Sequence, residues 1–294
     1  MSDRTSDVDS TQSPASDAQP VWNEDRAAWW LANADARERQ LEPVSDALFE
    51  RASLQPGERV LDVGVGSGPT TGQAWEAVRP DGSVTGIDIA APMINAARQR
   101  VAAPEIEWIV GDAAAYDFPP KTYDAVISRF GVMFFADPPA AFRNLCQATR
   151  PGGRLIMTVW STLYATGLFG IPYTVATTTL HRLGAEYQGF PPNGILFSLG
   201  QPKTLRDVLG AAGWADIEAA VDNRTLYLPP DPAAAAKMTV AAGPVQALLE
   251  GQPETVRAEV EAALEADYAR RQNESGIGLP AGFIVVAARR PRPS

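Results

Sequence analysis

Between residues 59 and 160, short apolar runs alternate with longer segments in which apolar residues recur every three or four positions. The short runs are typical of buried strands, and the longer segments are typical of amphipathic helices. The predicted strands are "ERVLDVG", "GSVTGIDI", "EIEWIVGD", "YDAVISRF" and "GGRLIMTVW". Because strands alternate with helices, the pattern predicts an α/β fold with a doubly wound, mostly parallel sheet covered on both faces.

The pattern also divides the chain into regions. Residues 1–20 are nearly all polar and predict a disordered tail, since they lack the apolar surface that would offset the entropy of ordering. The rest, residues 21–294, predicts a single domain. Its parts are N-terminal helices (21–55), the alternating core (56–160), an aromatic-rich insertion (161–200) and further helices and strands (201–294).

The composition of the chain limits which partners, metal sites and cellular locations we expect. The formal net charge is −10, which repels phosphate backbones, so we expect no nucleic-acid partner. Cys146 and His181 are the only residues of their types, so neither an intrachain disulfide nor a Cys/His zinc site is expected. No apolar run approaches the length of a membrane span, and the N-terminus lacks a secretory pattern. These features predict a cytoplasmic protein without a membrane partner.

The first predicted strand runs into "VLDVGVGSG", whose glycines are Gly64, Gly66 and Gly68. Glycines at a strand-to-helix turn let bare backbone approach a ligand at the carboxyl edge of the sheet. The helix that follows presents free N–H groups and a positive dipole end. Asp62 precedes the glycines; its carboxylate would oppose a pyrophosphate but could hold a cationic ligand, directly or through water.

The same turn departs from the dinucleotide pattern G-x-G-x-x-G. Counting from Gly64 the sixth position is Pro69, and counting from Gly66 it is Thr71, so neither frame completes the pattern. This argues against a nicotinamide-dependent oxidoreductase, which stays open as an alternative.

Acidic residues end the next two predicted strands. Asp88 ends the second strand, where a carboxylate can accept both hydroxyls of a ribose. Asp112 ends the third, where it and the backbone of Ala113 could reach the amino edge of an adenine. The alternative is that Asp62, Asp88 and Asp112 only cap helices or begin turns.

With these residues in view, the chain resembles the class I S-adenosylmethionine-dependent methyltransferases, most closely the ubiquinone/menaquinone-biosynthesis-like and small-molecule branches. The resemblance is carried by "VLDVGVGSG", "GIDIA", "VGDAAAYDFP" and "YDAVISRFGVMFFADPPAAFRNLCQATRPGGRLIMTVW". It implies a Rossmann-like, seven-stranded sheet whose last strand runs antiparallel. It also implies that S-adenosyl-L-methionine is the cofactor and S-adenosyl-L-homocysteine the product. Val65 stands where many relatives carry Cys.

The resemblance implies particular contacts. The glycines would touch the cofactor, Asp88 its ribose, and Asp112 with Ala113 its adenine. Ile89 and Met93 would flank the adenine and ribose. Ser128, Arg129 and Phe130 would lie beside the methyl-transfer position, although Arg129 could instead form an ion pair.

The N-terminal helices and the 161–200 segment would then cover the cofactor and form a lid over the acceptor pocket. Trp29 and Trp30 would lie over the site or simply pack their helix onto the domain. His181, in the lid, is a candidate general base; the alternative is a histidine at a helix end on the surface. Because "ISRFG" lacks clustered acids, no metal is expected.

The sequence therefore predicts methyl transfer to a small, apolar or aromatic metabolite. Carboxyl methylation of a peptide or protein, a non-methylating reaction on this scaffold, and a protein that only binds the cofactor stay open. A monomer and a homodimer are both compatible with the sequence.

Overall fold

A computed structural model describes residues 24–191 and 194–293. The predicted tail over residues 1–20 lies outside the described residues. Two helices open the described chain, α1 (Glu24–Ala32) and α2 (Ala34–Ala52). A residue in the left-handed conformation, Ser53 with φ +45°, ends α2, and its N–H donates to the carbonyl of Phe49.

The alternating region forms the strands and helices that its pattern predicts. They are β1 (Arg59–Val63), α3 (Pro69–Val78), β2 (Ser83–Asp88), α4 (Ala91–Arg100), β3 (Glu107–Val110), β4 (Tyr123–Arg129), α5 (Pro138–Ala148) and β5 (Thr149–Trp160). Proline stands in the first turn of α3, α4 and α5, where a missing N–H costs no helical hydrogen bond.

The C-terminal half is built differently, with helices clustered before two long strands. Its elements are α6 (Gly167–Arg182), α7 (Pro202–Ala211), β6 (Ala215–Leu228), α8 (Pro232–Val240), α9 (Gly243–Leu248), α10 (Glu254–Arg271), β7 (Gln272–Asn273) and β8 (Gly276–Arg289). The 161–200 segment thus contains a helix of 16 residues, α6, which contacts α9, α10 and β8.

The sheet has the order β3-β2-β1-β4-β5-β8-β6, and the two-residue β7 pairs with β8 off this path. Strands β1 to β5 are parallel, whereas β8 runs antiparallel to both β5 and β6. The predicted seven-stranded, mostly parallel sheet with an antiparallel last strand is confirmed along this path. The order reverses between β1 and β4, so the ends of these strands form the crevice where such sheets bind ligands.

The core lies on both faces of the sheet. In β1, Val60 belongs to a buried cluster with Leu48 and Trp75, while Leu61 belongs to a second cluster with Phe142. Alternate residues of a strand point to opposite faces, so a strand buried on both sides needs a continuous apolar run. Within residues 24–191 and 194–293, no helix is both long and apolar enough to cross a membrane.

Candidate functional site

The glycine turn between β1 and α3 has a left-handed backbone at each of its three glycines. The φ angles are +75° at Gly64, +54° at Gly66 and +93° at Gly68. Backbone hydrogen bonds fix the turn, with Gly64 N–H donating to Ile87 O at 2.8 Å and Gly68 N–H donating to Val65 O at 2.9 Å. Side chains with a Cβ rarely adopt these angles, so the pattern of glycines specifies the turn.

The three glycines meet different surroundings. A Cβ on Gly64 would lie 2.7 Å from the Cα of Gly131, and one on Gly68 would lie 2.9 Å from the Cβ of Ala97. A Cβ on Gly66 would meet nothing within 4 Å. The outer glycines therefore permit close packing inside the protein, whereas the middle glycine presents bare backbone to an open space that a ligand can enter.

Asp62 lies beneath the turn and is completely buried. The hydroxyls of Thr70 and Thr71, in the first turn of α3, both donate to Oδ2 at 2.7 Å, while Oδ1 has no partner among the described residues. Burial raises the pKa of Asp62 to about 6, and the two threonine hydrogen bonds and the charge of Arg129 oppose that rise. The structure therefore shows Asp62 holding the start of α3, and its predicted contact with a cofactor stays a prediction.

Asp88, at the end of β2, faces the turn. Its Oδ2 accepts the N–H of Gly66 at 3.0 Å and its Oδ1 accepts the N–H of Ala90 at 2.9 Å. Burial raises the pKa of the Asp88 carboxyl, and these two backbone hydrogen bonds lower it. Each carboxylate oxygen has a second lone pair. The side chain can therefore still accept ligand hydroxyls while it holds the glycine turn in place.

Asp112 follows β3 and is exposed, while Ala113 is buried. The Asp112 carboxylate accepts the N–H of Ala114 at 2.9 Å, which is the local turn that the alternative interpretation expects. Ile89, after β2, is 52% exposed, a large apolar surface at the same sheet edge. The predicted adenine contacts of Ile89, Asp112 and Ala113 stay predictions.

The helix α1 covers the start of α4. Met93 is fully buried in a cluster with Ala27 and Ala90, and Trp30 and Leu31 of α1 pack against that cluster. The Met93 side chain is therefore a contact of the N-terminal cover in this structure, and its predicted place beside a ligand stays a prediction. Because Ala90 also donates to Asp88, the cover lies close to the proposed ribose position.

Ser128 and Arg129 end β4. The buried Ser128 hydroxyl donates to the carbonyl of Val63 at 2.7 Å and so ties β4 to the glycine turn. Arg129 donates from Nη2 to both carboxylate oxygens of Glu38, at 2.6 and 2.8 Å, and from Nη1 to the Ser45 hydroxyl at 2.7 Å. The ion pair left open for Arg129 is therefore present, and it binds α2 to the end of β4.

Arg37 was not predicted as a functional residue from the sequence. Its guanidinium stacks 4.8 Å from the ring centroid of Trp29 and 5.1 Å from that of Trp30, and burial lowers its pKa to about 10. Its Nε has no hydrogen-bond partner among the described residues. Trp29 and Trp30 lie in α1 and Arg37 lies in α2, so the contact joins two helices, and no spacing within one helix indicates it.

An aromatic row leads away from the glycine turn into the 161–200 segment. Phe130, next to Gly131, stacks on Trp160 with centroids 3.9 Å apart. The row continues from Trp160 to Phe169 at 5.1 Å, to Phe197 at 5.7 Å and to Phe190 at 5.9 Å. Offset and edge-on contacts of this kind stabilise an apolar wall. The row thus joins the end of β4 to the predicted lid.

His181 lies in the last turn of α6 and is exposed, which favours the helix-end alternative over a general base. Tyr173 is buried, and its hydroxyl accepts the N–H of Phe190 at 2.9 Å, while Tyr164 is 70% exposed. Among the residues that the structure describes, no group of His, Cys, Asp and Glu side chains could hold a metal ion.

Several known proteins are similar to this chain in sequence. A sequence family described as a methyltransferase domain matches residues 60–153. Nocamycin O-methyltransferase of Saccharothrix syringae is 29% identical over 206 residues, which cover 64% of this chain and 70% of that protein. The 2-phytyl-1,4-naphtoquinone methyltransferase of Thermosynechococcus vestitus is 30% identical over 172 residues, which cover 56% of this chain and 76% of that protein.

Among solved structures, phosphoethanolamine N-methyltransferase 2 of Haemonchus contortus, in complex with S-adenosyl-L-methionine, superposes with a TM-score of 0.56. The match is 18% identical and covers 91% of this chain and 59% of that chain. At this identity the likeness concerns the fold.

Proposed function

We propose where this chain binds its cofactor and which class of acceptor it methylates. The chain belongs to the class I S-adenosylmethionine-dependent methyltransferases, and it methylates a small molecule. Ubiquinone/menaquinone biosynthesis enzymes, the type that the sequence motifs predict, are among its relatives. Because the curated relatives are methyltransferases, the nicotinamide-dependent alternative is not supported.

The proposed cofactor site is the crevice at the ends of β1, β2 and β3. The observation that carries it is the open space over Gly66 beside the partly buried Asp88 carboxylate. Gly66 backbone would contact the cofactor, Asp88 would accept its ribose hydroxyls, and the exposed Ile89 would pack against its adenine. The remaining predicted contacts are Asp62, Gly64, Gly68, Met93, Asp112, Ala113, Ser128 and Arg129.

When bound, S-adenosyl-L-methionine would supply an electrophilic methyl group on a sulfonium, and the bond from methyl to sulfur would break to leave neutral S-adenosyl-L-homocysteine. The protein contributes alignment, since the turn is fixed by backbone hydrogen bonds and the carboxylate of Asp88. The negative side chain of Asp62 lies beneath the turn and favours a cation above it. Phe130, Trp160 and Phe197 are buried, and this row would form an apolar wall of the acceptor site.

We infer that the acceptor is apolar or aromatic. The row of aromatic side chains starts at Phe130, whose neighbour Gly131 touches Gly64, and ends in the 161–200 segment. A pocket bounded by such a wall selects flat, apolar molecules by burial and ring contacts. The names of the relatives, nocamycin O-methyltransferase and a naphtoquinone methyltransferase, accord with this class. A general base is needed only for an acceptor that must lose a proton.

Calorimetric titration with S-adenosyl-L-methionine and S-adenosyl-L-homocysteine tests the cofactor site. Asp88→Ala should weaken both affinities more than tenfold, since a hydrogen bond to a charged group contributes about 1.5–3 kcal/mol. Asp207→Ala is the matched control, because Asp207 is an exposed carboxylate in α7 that pairs with Lys203. Unchanged affinity in Asp88→Ala would remove Asp88 from the site.

Thermal-shift measurements with nicotinamide cofactors and with S-adenosyl-L-methionine test which cofactor binds, and turnover assays test which acceptor is used. Stabilisation by S-adenosyl-L-methionine with turnover of aromatic but not peptide acceptors supports both proposals. If the protein binds S-adenosyl-L-methionine but converts none of it with any acceptor, the result would instead favour a protein that only binds the cofactor.

A further inference from the structure

Strand β6 is one of the two edge strands of the sheet, and it is long. It spans Ala215–Leu228 and pairs with β8 on one side, while no other strand within residues 24–191 and 194–293 pairs with its outer side. A long unpaired edge presents a row of backbone N–H and C=O groups that another strand can bind.

Two side chains cap the outer side of β6 and show which residues face outward. Arg206 Nη2 donates to the carbonyl of Ala219 at 3.3 Å, and Gln40 Nε2 donates to the carbonyl of Tyr227 at 3.4 Å. Alternate residues of an antiparallel strand direct their backbone groups to the same side. The outward residues between the caps are therefore Val221, Asn223 and Thr225, and all three are exposed.

This uncapped stretch is centred on Asn223, and its flanking residues carry opposite charges. Asp222 and Arg224 lie on the α2 side of the sheet, where Arg224 bonds Asp222 at 3.2 Å and Glu50 at 3.4 Å. Their side chains are 31% and 28% exposed. A groove between α2 and β6, lined by Ala47, Glu50 and Asp222 among others, leaves room beside them.

We propose that β6 pairs antiparallel with β6 of a second copy of this chain, about a two-fold axis at Asn223. Asn223 then faces Asn223 of the partner, and Val221 faces Thr225 in both directions, each pair exchanging two N–H···O bonds. Between these pairs, Asp222 lies opposite Arg224 of the other copy, twice. The interface is isologous, as a two-fold dimer requires.

The charges select this register over its neighbours. Outward residues must pair with outward residues, so the register can change only in steps that keep this parity. A step one way places Asp222 opposite Asp222, and a step the other way places Arg224 opposite Arg224. Like charges directly opposite each other are destabilising, whereas opposite charges stabilise a pair. Only the centred register joins unlike charges at both positions and places all three uncapped residues of one copy opposite the uncapped residues of the other.

Sedimentation velocity on the full chain tests the dimer. The wild type should sediment as a dimer, and Asp222→Arg or Arg224→Asp should each raise the dimer dissociation constant at least tenfold. The double variant Asp222→Arg with Arg224→Asp should recover the wild-type constant, because the charges are exchanged and not removed. Asp207→Arg, the same charge change on exposed α7, should leave the constant unaltered.

Asn223→Pro tests the backbone pairing itself, because it removes the outward N–H of residue 223. Proline is tolerated in an edge strand where that N–H faces solvent. The variant should give a monomer that unfolds cooperatively at a temperature independent of protein concentration, and it keeps the test decisive if a charge variant fails to fold. A monomeric wild type, a dimer that survives Asn223→Pro, or a double variant that does not recover would each overturn the proposal.

Discussion

The glycine turn and the 161–200 segment both border the carboxyl edge of the sheet, yet they are built from different material. The turn is made of main chain, with three glycines at positive φ and hydrogen bonds to Ile87 and Asp88. The 161–200 segment contributes side chains, with Phe169 and Phe190 each contacting Phe197 edge to face. A site of main chain tolerates few substitutions, whereas an apolar wall accepts other side chains of similar volume.

The largest effect in this contrast is expected for Gly64→Ala. The new Cβ would lie 2.7 Å from the Cα of Gly131 at a φ of +75°, so left-handed strain and overpacking add. We expect a loss of about 2–5 kcal/mol in the free energy of unfolding. Urea denaturation measures this loss.

Gly66→Ala is the matched control, because its Cβ meets nothing within 4 Å. It should cost about 1–2 kcal/mol of stability from the left-handed backbone alone. Its main effect should be on cofactor affinity, since the methyl group enters the proposed ligand space. Equal loss of stability in the two variants would contradict the distinction drawn between the glycines.

Arg129→Ala tests the joint between the N-terminal cover and the turn. The side chains of Arg129 and Glu38 are 9% and 14% exposed, so removing one partner leaves a poorly solvated charge and should cost about 3 kcal/mol. The exposed pair of Arg51 and Glu218 is the control, and Arg51→Ala should cost less than about 1 kcal/mol. Similar losses in both variants, measured by thermal unfolding, would show that the cover contributes no more than a surface contact.

Asp62→Asn should change how stability depends on pH. The pKa of Asp62 is about 6 in the folded protein, above the ordinary value of 3.8. At pH values between these two, the folded state therefore binds a proton at Asp62 more tightly than the unfolded state does. The stability contribution of Asp62 is therefore full below about pH 4 and falls as pH rises through 6. Relative to the wild type, the Asn variant should gain about 1–3 kcal/mol between pH 4 and pH 8.

The measurement is urea unfolding of cofactor-free protein at the two pH values. A parallel pH profile for wild type and variant would mean that the carboxylate is ionised without penalty. Affinity for the cofactor should meanwhile fall, since the variant lacks the negative charge beneath the turn.

The smallest effect is expected for Phe169→Leu in the aromatic row. Phe169 is only partly buried, so the change should cost about 1 kcal/mol and leave cofactor affinity within about twofold. The choice among aromatic acceptors should change, and competition between two acceptors in one reaction detects that change. If cofactor affinity falls instead, the row belongs to the cofactor site and the contrast between main-chain and side-chain regions fails.

The sequence predicts the first region far better than the second. Glycines at Gly64, Gly66 and Gly68 and acids at strand ends follow from local backbone geometry, which a linear pattern records. Glu38 and Arg129 are 91 residues apart, and nothing in the local pattern indicates that they meet. The helix α6 was likewise not predicted within 161–200, where aromatic and threonine residues with a central Pro172 obscure helical periodicity. Its stability comes from packing against α9, α10 and β8.

The hydrogen bonds that Asp88 accepts from the N–H groups of Gly66 and Ala90 affect how quickly a ligand binds. A loop already held in its final shape loses little freedom on encounter, so the cost of immobilising it falls on folding and not on association. Capture should then proceed as one rapid bimolecular phase without a slow isomerisation, and stopped-flow fluorescence of the seven tryptophans can follow it.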